Sequence, residues 1–196
     1  MKKIAVFASG SGSNAENIAK YFADNQSVSV VLVVSNNPLA GVHERVGRLG
    51  IPSVTYTNDE LSEGSKIIQK LLEYEVDWLI LAGYLKKIPE IMLNAFPQKI
   101  VNIHPALLPK YGGKGMYGMR VHEAVVAACD CESGITIHYV NENYDEGQII
   151  FQARCPVIPS DTPEDVAAKI HALEYKYYPE VIAMLVSRES ASHSSL

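Results

Sequence analysis

Apolar and polar positions along this chain alternate between two periods, one suited to strands and one to helices. Ile4–Ala8 is a short apolar strand, followed by a polar glycine/serine turn over Ser9–Asn14. Ala15–Ala23 then carries Ile18, Tyr21 and Phe22 at helical spacing. Val28–Val34 is β-branched and nearly continuous, the pattern of a parallel strand buried on both faces. Val42–Leu49 predicts a helix stopped by Gly50, and Ile51–Val54 a short third strand. Ser65–Tyr74 places Ile67, Ile68, Leu71 and Leu72 on one helical face, and Trp78–Leu81 is a fourth strand ending near Gly83. Pro89–Phe96 predicts a short helix and Ile100–Ile103 a fifth strand.

The second half continues the rhythm with one change. After a glycine-rich loop (Gly112, Gly113, Gly115, Gly118), Val121–Ala128 predicts a helix. Gly134–Val140 and Gln148–Ala153 read as strands joined by a turn, able to pair antiparallel. Thr162-Pro163-Glu164-Asp165 is a helix start, with Thr as N-cap, Pro at the first position and acids in the first turn. That helix runs to Val186 with a bend expected at Pro179. The whole predicts an α/β fold: a doubly wound, mostly parallel sheet with helices on both faces and an antiparallel addition toward the C-terminal edge. Residues 1–186 form one domain, and 187–196 a polar, frayed tail.

Composition adds limits. The chain has 196 residues, enough for one domain with a sizeable core, and no apolar run long enough to span a bilayer. Met1–Ala8 is too short in apolar content for a signal peptide and reads better as a first strand. Three cysteines (Cys129, Cys131, Cys155) lack metal-type spacing, which suggests reduced thiols and a cytoplasmic protein. A net charge of −5 argues against nucleic-acid binding. The charge is uneven, however: Lys86 to Arg120 holds six cations and one anion, Glu90. Such a segment is either an ordinary solvated surface or a local field for an anionic ligand.

Candidate chemistry lies at strand ends. Gly10-Ser11-Gly12-Ser13-Asn14-Ala15 follows the first strand, opens the first helix and fits G-x-G-x-x-G/A. A dinucleotide site also needs an acid after the second strand, where this chain has Ser35-Asn36-Asn37. The loop therefore reads as a phosphate cradle, or as a plain tight turn. Asn102 and His104 stand two apart on a strand and so share a face, one suited to an oxyanion and the other to a proton. Asp145, before Gly147 at the mouth of the next strand, is placed to meet the imidazole and raise its pKa, unless it serves only the turn. His138 shares a sheet face with Thr136 and Val140, and is either core or a supporting contact. His43, His122, His171 and His193 lie in helical patterns or the tail and read as surface or supporting groups.

These motifs, in this order, make the chain resemble the phosphoribosylglycinamide formyltransferase family. Ala8–Asn14, Leu81–Tyr84, Asn102–Pro109, Gly134–His138 and Asp145–Gly147 carry the likeness, which covers Lys3 to about Val186. The resemblance implies a Rossmann-like formyltransferase fold and formyl transfer from 10-formyltetrahydrofolate to the glycyl amine of phosphoribosylglycinamide in purine synthesis, through a tetrahedral intermediate. By motif, Asn102 would bind the oxyanion, His104, charged through Asp145, would act as acid, and Asp145 would also order a water. Gly12, Ser13 and Asn14 would cradle the phosphate and Glu174 the ribose hydroxyls. The folate would lie along Leu85, Lys86, Lys87 and Ile88 and against Asn102 and Val140, with no metal. The likeness also implies a cis bond at Leu108-Pro109. Lys86 stands where many relatives have Arg. The implied partners are small molecules, with neither nucleic acid nor membrane, and the chain a monomer or weak homodimer. A nicotinamide-dependent oxidoreductase built on the Gly10–Ala15 loop is the alternative.

Overall fold

The computed structural model describes residues 1–192. The observed elements follow the predicted rhythm: β1 (Lys2–Phe7), α1 (Ser13–Tyr21), β2 (Val28–Ser35), α2 (Val42–Gly47), β3 (Ser53–Thr55), α3 (Asn58–Glu63), α4 (Ser65–Glu73) and β4 (Trp78–Leu81). They continue as α5 (Glu90–Ala95), β5 (Ile100–His104), α6 (Met119–Ala127), β6 (Glu132–Tyr139), β7 (Ile149–Pro156) and α7 (Pro163–Ser192). The seven strands form one sheet in the order β3-β2-β1-β4-β5-β6-β7. The first five are parallel, and β6 and β7 add antiparallel at one edge.

The near-continuous apolar strands are explained by helices on both faces. Ile4 and Val6 of β1 face a core shared with Ile18, Val46, Val125, Ile170 and Ile182, from α1, α2, α6 and α7. Ala5 and Phe7 point the other way, into a core with Leu61, Ile67, Leu71 and Met92 from α3, α4 and α5. Alternate residues of one strand thus anchor two separate layers.

Two elements depart from the expectation. Helix α3 is absent from the apolar pattern because it buries a single residue, Leu61; a capping box between Thr57 and Glu60 starts it instead. Helix α7 continues through Ser192, beyond the tail expected from Ser187, because extending a formed helix costs far less than starting one. Residues 193–196, including His193, lie outside the described residues. Pro179 sits inside α7 without ending it. It leaves the Tyr175 carbonyl without its usual amide partner. Asn17 Nδ2 of α1 donates to that carbonyl at 2.9 Å, tying the two helices together. The N-cap of α7 is as read, with Asp165 N donating to Thr162 Oγ1 at 3.2 Å.

Candidate active site

Strand order reverses between β1 and β4, so the loops leaving their carboxyl ends part and open a crevice, the usual ligand site of such sheets. A cavity of about 600 Å³ occupies it. Every residue proposed from sequence lines this cavity: residues 12–14, residues 85–88, Asn102, His104, His138, Val140, Asp145 and Glu174.

The antiparallel register of β5 and β6 assembles the chemical centre. Asn102 pairs with His138 and His104 with Thr136, so all four side chains share one face of the sheet. Asn102 Nδ2 lies 3.2 Å from His138 Nε2 and 3.5 Å from Asp145 Oδ1. The β6–β7 turn folds Asp145 back over this face, with φ +57. Gly147 permits the turn, since a Cβ there would stand 1.7 Å from the Tyr139 carbonyl oxygen. Asp145 Oδ2 accepts the Gly113 amide at 2.9 Å and lies 3.5 Å from His104 Nδ1; its Oδ1 lies 3.6 Å from His138 Nε2.

Tautomers follow from partners that can only accept. His104 Nε2 lies 2.7 Å from the Tyr111 carbonyl oxygen, so Nε2 carries the proton and Nδ1 of the neutral ring presents a lone pair toward Asp145. His138 Nδ1 lies 2.9 Å from the Tyr139 carbonyl oxygen and likewise carries a proton.

The charge state of His104 differs from the expectation. Burial pulls its pKa below the ordinary value; Asp145 and the Tyr111 carbonyl pull it up, and burial wins. His104 is 4% exposed, and the carboxylate stands beyond hydrogen-bond length, too far to offset desolvation. The ring is therefore neutral at rest, not an imidazolium. Burial also raises the Asp145 carboxyl, but His138, His104 and the Gly113 amide outweigh it, and the net shift is downward. Asp145 is an anion.

At the other end of the cavity, residues 10–14 form a tight loop into α1. Gly12 has φ +76, and a Cβ there would lie 2.5 Å from Val42, so only glycine fits. No side chain caps α1, which leaves its first-turn amides facing outward for an anion. Asn14 Nδ2 donates to Glu174 Oε2 at 2.9 Å, and Asn14 Oδ1 is buried without a partner. His171 Nδ1 donates to the same Glu174 oxygen at 2.9 Å. That bond raises the His171 pKa against an opposing burial effect.

Between these ends the wall is apolar, with Ile88 buried, Leu85 exposed and Val140 half-buried. Four of the six cations between Lys86 and Arg120 line the cavity: Lys86, Lys87, Lys114 and Arg120. Lys110 instead pairs with Asp130. Among the described residues no group of three His, Cys, Asp or Glu side chains is placed to hold a metal ion. Nor is any described helix long and apolar enough to cross a membrane.

Some contributors escaped the sequence reading. Tyr111 and Gly113 act through main-chain atoms, which no motif encodes. His122, read as surface or supporting, is 2% exposed and lines the cavity. His171 lies three residues before Glu174 on one helix, a spacing that signals contact. Ser9, in the polar turn after β1, is a further contributor. Its Oγ donates to Asn36 Oδ1 at 2.6 Å and accepts the Leu85 amide at 3.0 Å. Asn36, where a dinucleotide site would place an acid, is thus a strut between loops, and the nicotinamide alternative is not supported.

Comparison with known proteins gives the family. A model of the formyl transferase family matches residues 2–182. A phosphoribosylglycinamide formyltransferase of Bacillus subtilis is 41% identical over 192 residues, covering 95% of each chain. The chloroplastic phosphoribosylglycinamide formyltransferase of Arabidopsis thaliana is 45% identical over 190 residues; the match covers 94% of this chain but only 65% of that relative's length. The crystal structure of phosphoribosylglycinamide formyltransferase from Streptococcus pneumoniae superimposes with a TM-score of 0.84 at 39% identity, covering 94% of this chain and 99% of that one. With the family model spanning the whole sheet, from β1 through β7, the chain belongs to the formyl transferase family.

Proposed function

We propose that this chain transfers the formyl group of 10-formyltetrahydrofolate to the glycyl amine of phosphoribosylglycinamide, a step of purine synthesis. The observation that carries the reading is the sharing of one cavity by a cradle suited to a phosphate and the Asn102–His104–Asp145 centre. The relatives' names support formyl transfer to phosphoribosylglycinamide.

In this reading the amides and side chains of residues 12–14 bind the phosphate, and Glu174, held by Asn14 and His171, receives the ribose hydroxyls. The apolar wall at Leu85, Ile88 and Val140 takes the pteridine, and Lys86 and Lys87 at the rim attract the anionic tail. The amine nitrogen attacks the formyl carbon, and Asn102 donates to the oxygen that gains charge. The amine's surplus proton passes to Nδ1 of neutral His104. The resulting imidazolium stands beside Asp145, which stabilises it. The carbon–nitrogen bond to the folate then breaks as that proton, relayed by a water ordered on Asp145, reaches the departing nitrogen. His104 thus begins as a base and ends as an acid. No metal enters these steps. The proposed setting is cytoplasmic, the partners small molecules, and the chain a monomer or weak homodimer.

The test is a formyl-transfer assay with both substrates, run beside NADH binding. Turnover that requires phosphoribosylglycinamide supports the reading. No turnover at saturating substrates, together with micromolar NADH binding, overturns it.

A further inference from the structure

Residues 110–113 touch both members of the His104–Asp145 pair through main-chain groups. The Tyr111 carbonyl accepts from His104 Nε2, and the Gly113 amide donates to Asp145 Oδ2. To present that carbonyl Tyr111 adopts φ +57, a left-handed conformation uncommon for bulky residues. Such a conformation persists where surrounding contacts hold it.

The holding group is Asp130, in the turn between α6 and β6. Its Oδ2 accepts the Tyr111 hydroxyl at 2.8 Å, and its two oxygens take Lys110 Nζ at 2.7 and 2.6 Å. Lys110 Nζ also lies 5.2 Å from the centre of the Tyr111 ring. Lys110 and Tyr111 both hold the Asp130 carboxyl below the usual carboxylate range, so the anchor is an anion. An ion pair this exposed adds little to stability. What it fixes is a direction.

That direction matters because a neutral imidazole has two tautomers. Left alone beside an anionic Asp145, His104 would favour a proton on Nδ1, facing the carboxylate. A ring in that form cannot take the amine's proton at Nδ1. The Tyr111 carbonyl opposes this by holding the proton on Nε2. Resting on the formyl-transfer reading above, we infer that Asp130 is a positioning residue for the reaction: through Tyr111 it keeps His104 in the Nε2–H tautomer, with Nδ1 open as the proton acceptor.

The experiment pairs kinetics with nitrogen-15 NMR of the His104 ring in the whole protein. In the wild type the ring proton is expected on Nε2. In Asp130→Ala it moves wholly or partly to Nδ1, and kcat falls about tenfold or more while both KM values stay within about twofold. Asp130→Asn keeps an oxygen for the Tyr111 hydroxyl and should recover most of the loss. Tyr111→Phe removes the hydroxyl alone, shifts the tautomer in the same direction by less, and serves if Asp130→Ala does not fold. An unchanged tautomer and kcat in Asp130→Ala, or in Tyr111→Phe where only that variant folds, would overturn the inference. So would equal losses in Asp130→Ala and Asp130→Asn with the tautomer unmoved. A wild type without formyl transfer would count against the parent reading instead, and the NMR readout would still report on the brace.

Discussion

His104 Nδ1 stands 3.5 Å from Asp145 Oδ2, near enough to feel the carboxylate and too far to share a proton with it. Burial, which outweighs the carboxylate at that separation, keeps the imidazole neutral, as the proposed proton acceptor must be. Because burial sets its pKa below the ordinary 6.5, the acid limb of kcat/KM should lie below pH 6.5. Removing the carboxylate's charge removes an upward influence. Asp145→Asn should therefore move that limb to still lower pH while cutting the maximal rate by roughly a hundredfold or more, since the imidazolium formed in the reaction loses its counter-charge. A pH–rate profile of both proteins decides it; a limb moving upward would refute the assignment.

The proposed phosphate cradle predicts a split between substrates. Ser13→Ala and Asn14→Ala each remove a polar group beside the α1 N-terminus, and Asn14→Ala also frees Glu174 from its 2.9 Å bond. Each should raise the KM for phosphoribosylglycinamide about tenfold, as loss of a hydrogen bond to a charged group does, and leave the folate KM nearly unchanged. Equal effects on both substrates would show that the ribonucleotide lies elsewhere in the cavity.

How far the site could be read from sequence depended on the kind of information each residue carries. Asn102 and His104 were legible as partners because strand parity puts residues two apart on one face. Asp145 was legible because an acid before glycine after a strand marks a turn at a sheet edge. Register was not legible, so His138 could be assigned only to a face, and its place opposite Asn102 required the β5–β6 pairing. The His104 charge state is not legible, because sequence shows a neighbouring carboxylate but not the burial that outweighs it. Helix α3 is illegible in the apolar pattern for a related reason: Thr57 and Glu60 carry its capping signal, while Leu61 is the one residue it buries.

His171 should show the opposite linkage to His104. Its hydrogen bond to Glu174 raises its folded pKa above 6.5, so the pairing stabilises the protein fully below pH 6.5 and fades as pH rises through the elevated value. His171→Asn should lower the thermal midpoint at pH 6 and much less at pH 9. With the imidazole half exposed, the difference should stay below about 1 kcal/mol. Thermal unfolding at the two pH values measures it, and a larger loss at pH 9 would contradict the assignment.

Thr136 supports the segment after His104 from beneath. Fully buried and opposite His104 in the register, its hydroxyl donates to the Ala106 carbonyl at 2.7 Å. It accepts from the Leu108 amide at 3.0 Å and from Gln152 Nε2 at 2.9 Å. Gln152 Nε2 also reaches the Leu108 carbonyl at 3.1 Å. Thr136→Val keeps the shape but strands a buried amide and carbonyl, which should cost about 2–3 kcal/mol. The loss should appear in denaturant unfolding as a lower midpoint at unchanged slope. Thr136→Ser keeps the hydroxyl and gives up one methyl group, so it should lose only about 1 kcal/mol. Because the same hydroxyl aligns residues 106–108 beside His104, Thr136→Val should also depress kcat more than either KM, and Thr136→Ser should restore it. A valine variant as stable and active as the wild type would mean that the segment is held by its own packing and not by this hydroxyl.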